Sequence, residues 1–234
     1  MSEPEIREAL VLMARAPIEG TVKTRLVGPF TPPEVLELYL NFLRDTFRVM
    51  EEVQSERDDL ALVLCFTPEG TEEAFEVVER EGCLMVAQRG GDLGERISTC
   101  FEDLFARGYE RVVMIGADSP ALPVEYVLDA FDELTDARTV AVGPTLDGGY
   151  YLIGLAGPAP QIFRDIPWST EGVLAATRAR IDAAGLRLVE LPEFIDIDTP
   201  ADLELLEEVL AQDPELAPRT RRYLRQLRRG TNSS

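Results

Sequence analysis

The chain has 234 residues, 43 of them acidic against 23 basic, and a formal net charge of −20. Its length suits one α/β domain, and at this size folding buries roughly 70% of the unfolded surface, so no disulfide or structural metal is required. It contains no histidine, which excludes Ser-His-Asp and Cys-His catalysis and histidine-ligated zinc.

Residues 9–14, ALVLMA, read as a first buried strand, followed by a loop rich in Pro and Gly up to Pro29. Thr31 then caps a helix, with Pro32 at its first position and Glu34 completing a capping box. Val35, Leu38, Phe42, Leu43, Phe47 and Met50 recur at helical steps and give it an apolar stripe. A second strand is expected at 60–66, a short helix from Glu72 to Arg80, a third strand at 83–87 and a helix ending near Arg107. The fourth strand, VVMIG, ends at Gly116, and a helix follows near 124–134. Strands at 139–142 and 149–155 flank the loop GPTLDGG. A helix near 171–184, a strand at 186–191 and a last main helix entered through Pro200 complete the series. Alternating strand and helix periods predict an α/β domain with a mostly parallel sheet, over residues 1–212, with residues 213–234 as an Arg-rich C-terminal helix or tail.

Lys23 is the sole lysine beside 22 arginines. An acidic, lysine-poor surface points to adaptation to high intracellular salt, where screening offsets self-repulsion; equal stability at low and multimolar salt would count against it. The charge argues against nucleic-acid binding. The tail carries six arginines between Arg219 and Arg229, read either as cations packed on the acidic body or as a patch for an anionic partner. Cys65, Cys83 and Cys100 form no CxxC pair, fitting a reducing cytoplasm and small buried residues. No run reaches the ~18 apolar residues of a membrane span, and the acidic start predicts no signal peptide. Without histidine, a metal must take oxygen ligands, favouring Mg²⁺ or Mn²⁺, and a base must be a carboxylate, tyrosine, lysine or the substrate.

In open α/β sheets ligands gather on the loops after the strands. The first such loop, ARAPIEGTVKTRL, offers Gly20 for close backbone approach, and Lys23 and Arg25 as phosphate-holding cations; the alternative is a solvated basic turn. In GGDLGER, Asp92 serves as a helix cap, as a ligand for ribose or base, or as both, beside Glu95 and Arg96. In GADSP, Asp118 faces the site if Ser119 caps the next helix. Asp147 precedes Gly148 and Gly149, a hairpin signal in itself, and then Tyr150 and Tyr151. DIDTP supplies Asp196 and Asp198, with alternate side-chain orientation if extended, while Asp198 or Thr199 alternatively caps the last helix. Carboxylates and cations at one sheet edge are what a metal–diphosphate complex needs.

The series GTVKTRL, GDLGER, GADSP, GPTLDGGYYLIG, IPWST and DIDTPADL resembles the GT-A-like glycosyltransferase family, related to 2-phospholactate guanylyltransferase and the molybdenum-cofactor guanylyltransferases. The resemblance spans nearly all of residues 9–210 and implies a three-layer α/β/α nucleotide-diphospho-sugar transferase fold with a mixed, mostly parallel sheet. It implies a metal held by Asp118 and Asp198, nucleotide phosphates held by Gly20, Lys23 and Arg25, and a nucleoside near Asp92. Asp147, Gly148 and Gly149 match the loop facing the acceptor, and Trp168 is a candidate for stacking on it. Arg15 stands where a lysine is more usual, which leaves its phosphate role open. The expected activity is metal-dependent transfer from a nucleotide-activated donor to a small-molecule acceptor, with Asp118, Lys23 and Asp147 as catalytic groups. Glycosyl transfer from an NDP-sugar is favoured on family grounds. Nucleotidyl transfer from an NTP to a phosphorylated acceptor is the alternative, and a non-catalytic nucleotide-binding module acting through its tail is the third reading.

Overall fold

The computed structural model describes residues 7–78 and 82–231. Seven strands form one sheet: β1 (Glu8–Arg15), β2 (Leu60–Thr67), β3 (Leu84–Ala87), β4 (Arg111–Gly116), β5 (Thr139–Pro144), β6 (Tyr150–Leu155) and β7 (Arg187–Glu190). Their order is β3-β2-β1-β4-β6-β5-β7. β1 pairs in parallel with both β2 and β4, β2 with β3 and β5 with β7, whereas β6 runs antiparallel to β4 and β5. Among the described residues β6 is thus the one reversed strand, and β5–β6 is the hairpin that the Asp-Gly turn signals.

Six helices cover the sheet: α1 (Pro32–Ser55), α2 (Leu93–Ala106), α3 (Val124–Glu133), α4 (Val173–Ala183), α5 (Pro200–Gln212) and α6 (Pro218–Thr231). Side-chain alternation along β1 decides what each face meets. Leu10, Leu12 and Ala14 enter a core shared with α1, α3, α5 and α6. Ala9 and Val11 enter a second core with Ile97, Phe101 and Leu104 of α2 and Leu174 and Ile181 of α4. The result is the expected three-layer α/β/α architecture. Glu34 of α1 accepts from the Thr31 backbone N–H at 2.8 Å, which is its half of the capping box, and from the Thr31 hydroxyl at 2.7 Å. Of the short helix expected from Glu72 to Arg80, residues 72–78 form no α-helix. A 3-10 turn spans Glu72–Phe75 and buries Phe75, with Val78 beyond it; the remainder of that expectation falls on residues 79 and 80, outside the described ones.

Helix α6 docks on α1 through a cap supplied from elsewhere in the chain. The buried Asp45 carboxylate accepts from the backbone N–H groups of Arg219 at 3.2 Å and Thr220 at 2.7 Å, satisfying donors that a helix start leaves unpaired. Arg228 pairs with Glu207 of α5 through Nε at 2.9 Å, so part of the basic tail rests on the acidic body. Asp45→Ala is expected to cost about 1–2 kcal/mol and to speed amide exchange in α6 selectively. Urea unfolding with hydrogen exchange measures both, and unchanged α6 protection would rule out the cap.

Candidate active site

β1 hydrogen-bonds to β2 on one side and β4 on the other. The β1–β2 crossover helix α1 lies on one face, while α2, leading into β4, lies on the opposite face. That divergence opens a crevice beyond the carboxyl ends of β1 and β4, the usual ligand position in such sheets. A recess of about 230 Å³ under the first loop is lined by Arg15, Thr21, Thr24, Arg25 and Asp118, among others. It adjoins a cleft of about 830 Å³ running over the strand ends toward Tyr150 and Trp168, a volume within the ordinary range for small-molecule sites.

The first loop folds inward at Lys23, whose backbone is left-handed at φ 45°, an uncommon conformation for a residue with a side chain. A 3-10 turn, Thr24–Leu26, follows and buries Leu26. Lys23 Nζ lies 2.6 Å from Asp118 Oδ1 and 2.9 Å from Asp198 Oδ1, with its side chain only 5% exposed. The carboxylates remain 43% and 46% exposed. Arg25 lies 3.7 Å from the other oxygen of Asp198. Burial disfavours the Lys23 ammonium, but the two carboxylates outweigh it and hold its pKa above the ordinary lysine value. For Asp198, burial is outweighed by Lys23 and Arg25, and its pKa falls.

Asp118 lies two residues past the end of β4, and its carbonyl accepts from Ile197 N at 2.8 Å, which ties the DIDTP segment to the central strand. Ile197 is fully buried, while Asp196 and Asp198 on either side of it both line the cleft. Thr199 caps α5, with Asp202 accepting from Thr199 N at 2.6 Å. Ser119 is not the helix cap anticipated from the sequence. Helix α3 begins after Pro123, and the buried Ser119 hydroxyl instead donates to Ile195 O at 2.9 Å and pairs with Asp196. Burial, then the charge of Asp118, pushes the Asp196 carboxyl up to about 7 despite Ser119. A protonated Asp196 donates to Ser119 Oγ while that hydroxyl donates onward to Ile195 O, so each partner is satisfied.

Asp147 lines the cleft on its β6 side. Its Oδ1 accepts from Thr145 Oγ1 at 2.5 Å and Gly149 N at 3.1 Å, fixing the hairpin turn. Gly148 sits at φ 85°, and an added Cβ would lie 2.2 Å from Glu171 O, so glycine is required both for the turn and for the close approach. Trp168 also lines the cleft, packing edge-on against Tyr150 at 6.3 Å and over Gly94. Arg15 borders both recess and cleft. Gly20 takes φ 76° in the first loop, outside either lining. Asp92 accepts from Glu95 N at 2.8 Å as the cap of α2 and does not line the cleft.

Gln88 of the cleft and Tyr39 of the recess, among others, were passed over in the sequence. Gln88 follows β3 directly, the kind of position that singled out the other candidates, and its Nε2 donates to Cys65 O at 2.9 Å and Ala14 O at 3.3 Å. With both donors used, its remaining capacity is as an acceptor. Tyr39 is buried in α1, and its hydroxyl donates to Arg15 O at 2.9 Å. A tyrosine within an apolar stripe reads as packing, so only the fold reveals that it braces the first loop.

Among the described residues no group of three acidic side chains closes on one point as a ready-made metal cage. Asp118 and Asp198 nevertheless converge on a single cation, Lys23 Nζ, from both sides. Two hard oxygen donors, with phosphate oxygens and water completing the shell, match how Mg²⁺ is usually held, so the residues present fit a divalent ion.

Several known proteins are similar to this chain. Phosphoenolpyruvate guanylyltransferase of Sphaerobacter thermophilus is 28% identical over 203 residues, covering 84% of this chain and 93% of the relative. A crystal structure from Desulfovibrio desulfuricans, described as a nucleotide-diphospho-sugar transferase, is 30% identical with a TM-score of 0.85, covering 95% and 97% of the two chains. The crystal structure of 4-diphosphocytidyl-2C-methyl-D-erythritol synthase, at 12% identity, a TM-score of 0.55 and coverage of 88% and 99%, shares the fold. These relatives support an enzyme of the transferase class that uses a nucleotide substrate. Residues 50–170 match the family described as "Uncharacterized protein conserved in bacteria (DUF2064)", and the chain belongs to it.

Proposed function

We propose that the protein is a divalent-metal-dependent nucleotidyltransferase that moves a nucleoside monophosphate from an NTP to a small phosphorylated acid, releasing pyrophosphate. The observation that carries the reading is the meeting of Lys23, Asp118 and Asp198 at the β1–β4 crevice. The choice of chemistry rests on likeness to a guanylyltransferase over 93% of that relative's length, which makes GTP the first donor to test. Glycosyl transfer from an NDP-sugar is the second reading, favoured by likeness to the D. desulfuricans structure.

Asp118 and Asp198 would hold Mg²⁺ or Mn²⁺, which neutralises charge on the donor's phosphates when bound. Lys23 and Arg25 face the same phosphates as a point charge and a fork, and Arg15 reaches them from the end of β1. Asp92 caps α2 outside the cleft lining, so a nucleoside contact would come from the α2 start beside it, where Leu93 and Arg96 line the cleft. Asp147, with the Gly148–Gly149 backbone and Trp168, positions the acceptor. A phosphate acceptor arrives already deprotonated and needs no base; a hydroxyl acceptor would give its proton to Asp147.

A thermal-shift screen of NTPs and NDP-sugars, with and without Mg²⁺ or Mn²⁺, tests the donor class. A ligand at about 100 times its dissociation constant should add ~2.7 kcal/mol of stability. Stabilisation by GTP with metal, followed by pyrophosphate release with a phosphorylated acid, is the expected result. NDP release from an NDP-sugar would move the assignment to glycosyl transfer, and no metal-dependent nucleotide binding would overturn both.

A further inference from the structure

We infer that Lys23 is the resident counter-ion of Asp118 and Asp198, so that tight metal binding requires a phosphate to draw Lys23 off these carboxylates. The inference rests on the proposed reading of that pair as the metal ligands. Lys23 Nζ contacts one oxygen of each, at 2.6 and 2.9 Å. A divalent cation on the same two oxygens contends with the ammonium for both space and charge. The Lys23 side chain is 5% exposed, so water screens its ammonium less than it screens an exposed surface cation.

The loop geometry gives the ammonium somewhere to go. Lys23 sits on a left-handed backbone turn at the head of a single 3-10 turn, beside a recess of about 230 Å³ lined by Thr21, Thr24 and Arg25. An ammonium has three donors, and two are taken by Asp118 and Asp198. The third is available to a phosphate entering the recess, which then offers enough oxygens to replace the carboxylates. Nucleotide and metal therefore bind cooperatively. By linkage each tightens the other by the same factor, and metal alone binds weakly to a site that already holds its cation.

Direct Mn²⁺ binding, followed by electron paramagnetic resonance and calorimetry, tests this with no reliance on turnover. Mn²⁺ alone is expected to bind Lys23→Met about tenfold more tightly than the wild type, a coupling of ordinary size. GTP should tighten Mn²⁺ on the wild type and do so less on Lys23→Met. Arg25→Gln, which removes a cation 71% exposed and 3.7 Å from Asp198, should change Mn²⁺ affinity by less than about threefold because solvent screens it. Asp118→Asn should abolish the binding and so place it at this site, and Lys23→Gln replaces Lys23→Met if the latter unfolds on heating earlier than the wild type. Equal Mn²⁺ affinity in wild type and Lys23→Met, with GTP still tightening it, overturns the counter-ion role and leaves the metal reading standing. So does an equal gain in Arg25→Gln, which marks a general charge effect. Absence of Mn²⁺ binding to every form, with or without GTP, removes the metal reading and this inference with it.

Discussion

Asp118→Asn is expected to lower kcat by about 10²–10³, equivalent to ~3–4 kcal/mol of lost charge stabilisation, and to abolish metal-dependent nucleotide binding. The substitution keeps the side chain's shape and removes its charge. The Asp118 backbone stays fixed at the end of β4 by its hydrogen bond from Ile197, so the DIDTP segment and Asp198 keep their place. What is lost is one of the two carboxylates on the cation site, and Lys23 then pairs with Asp198 alone. Because the Asp118 side chain is 43% exposed, the folded state should be little affected. Steady-state kinetics with the donor–acceptor pair, paired with an unfolding curve, separates the two effects. Retained metal-dependent binding in Asp118→Asn would remove this residue from the site.

The second large effect lies at the other end of the sheet. Glu8 opens β1, is fully buried, and accepts from Arg57 Nε at 2.5 Å and Nη2 at 2.9 Å, with Arg111 2.7 Å away. Arg57 continues to Asp132 at 2.8 Å and stacks 5.0 Å over Phe131. Its hydrogen bonds to Glu8, more than any other influence, hold the guanidinium above its ordinary pKa. Glu8→Ala leaves two guanidinium groups at the strand starts without their shared acceptor. Removing one partner of a buried pair costs ~3–5 kcal/mol, and with Asp132 still present the lower end is expected. For a domain of this size that is a Tm about 10 °C lower. The cleft lies at the far ends of the strands, about 23 Å away over seven residues of β1, so nucleotide binding should survive at temperatures where the variant is folded. A Tm within 2–3 °C of the wild type would show that solvent takes over the role of Glu8.

Periodicity marked the strands well because both faces of the sheet are covered: runs such as ALVLMA and LALVLCF have no polar alternation to confuse them. It could not show that β6 inserts between β4 and β5, since strand order depends on pairing across the chain and leaves no local period. The carboxylate positions were legible for the reason that strand-end loops hold ligands, and Lys23, Arg25, Asp118 and Asp198 do meet. Asp92 illustrates the limit of that reasoning, because a helix cap and a ligand contact demand the same residue at the same place, and its oxygen is engaged at Glu95 N. Ser119 misled for a related reason. A serine just before a helical run reads as a cap, but Pro123 moves the helix start downstream and frees Ser119 to bond Ile195 and Asp196.

The chain's sole lysine is also the buried cation between Asp118 and Asp198 in the recess beside the cleft. Protein produced with isotope-labelled lysine would carry one labelled side-chain amine, and that amine stands between Asp118 and Asp198. One resonance, with no assignment problem, would then follow the arrival of metal and nucleotide in solution. Amine-acylating reagents would find one ε-amine, shielded while the carboxylates hold it and exposed whenever they let it go.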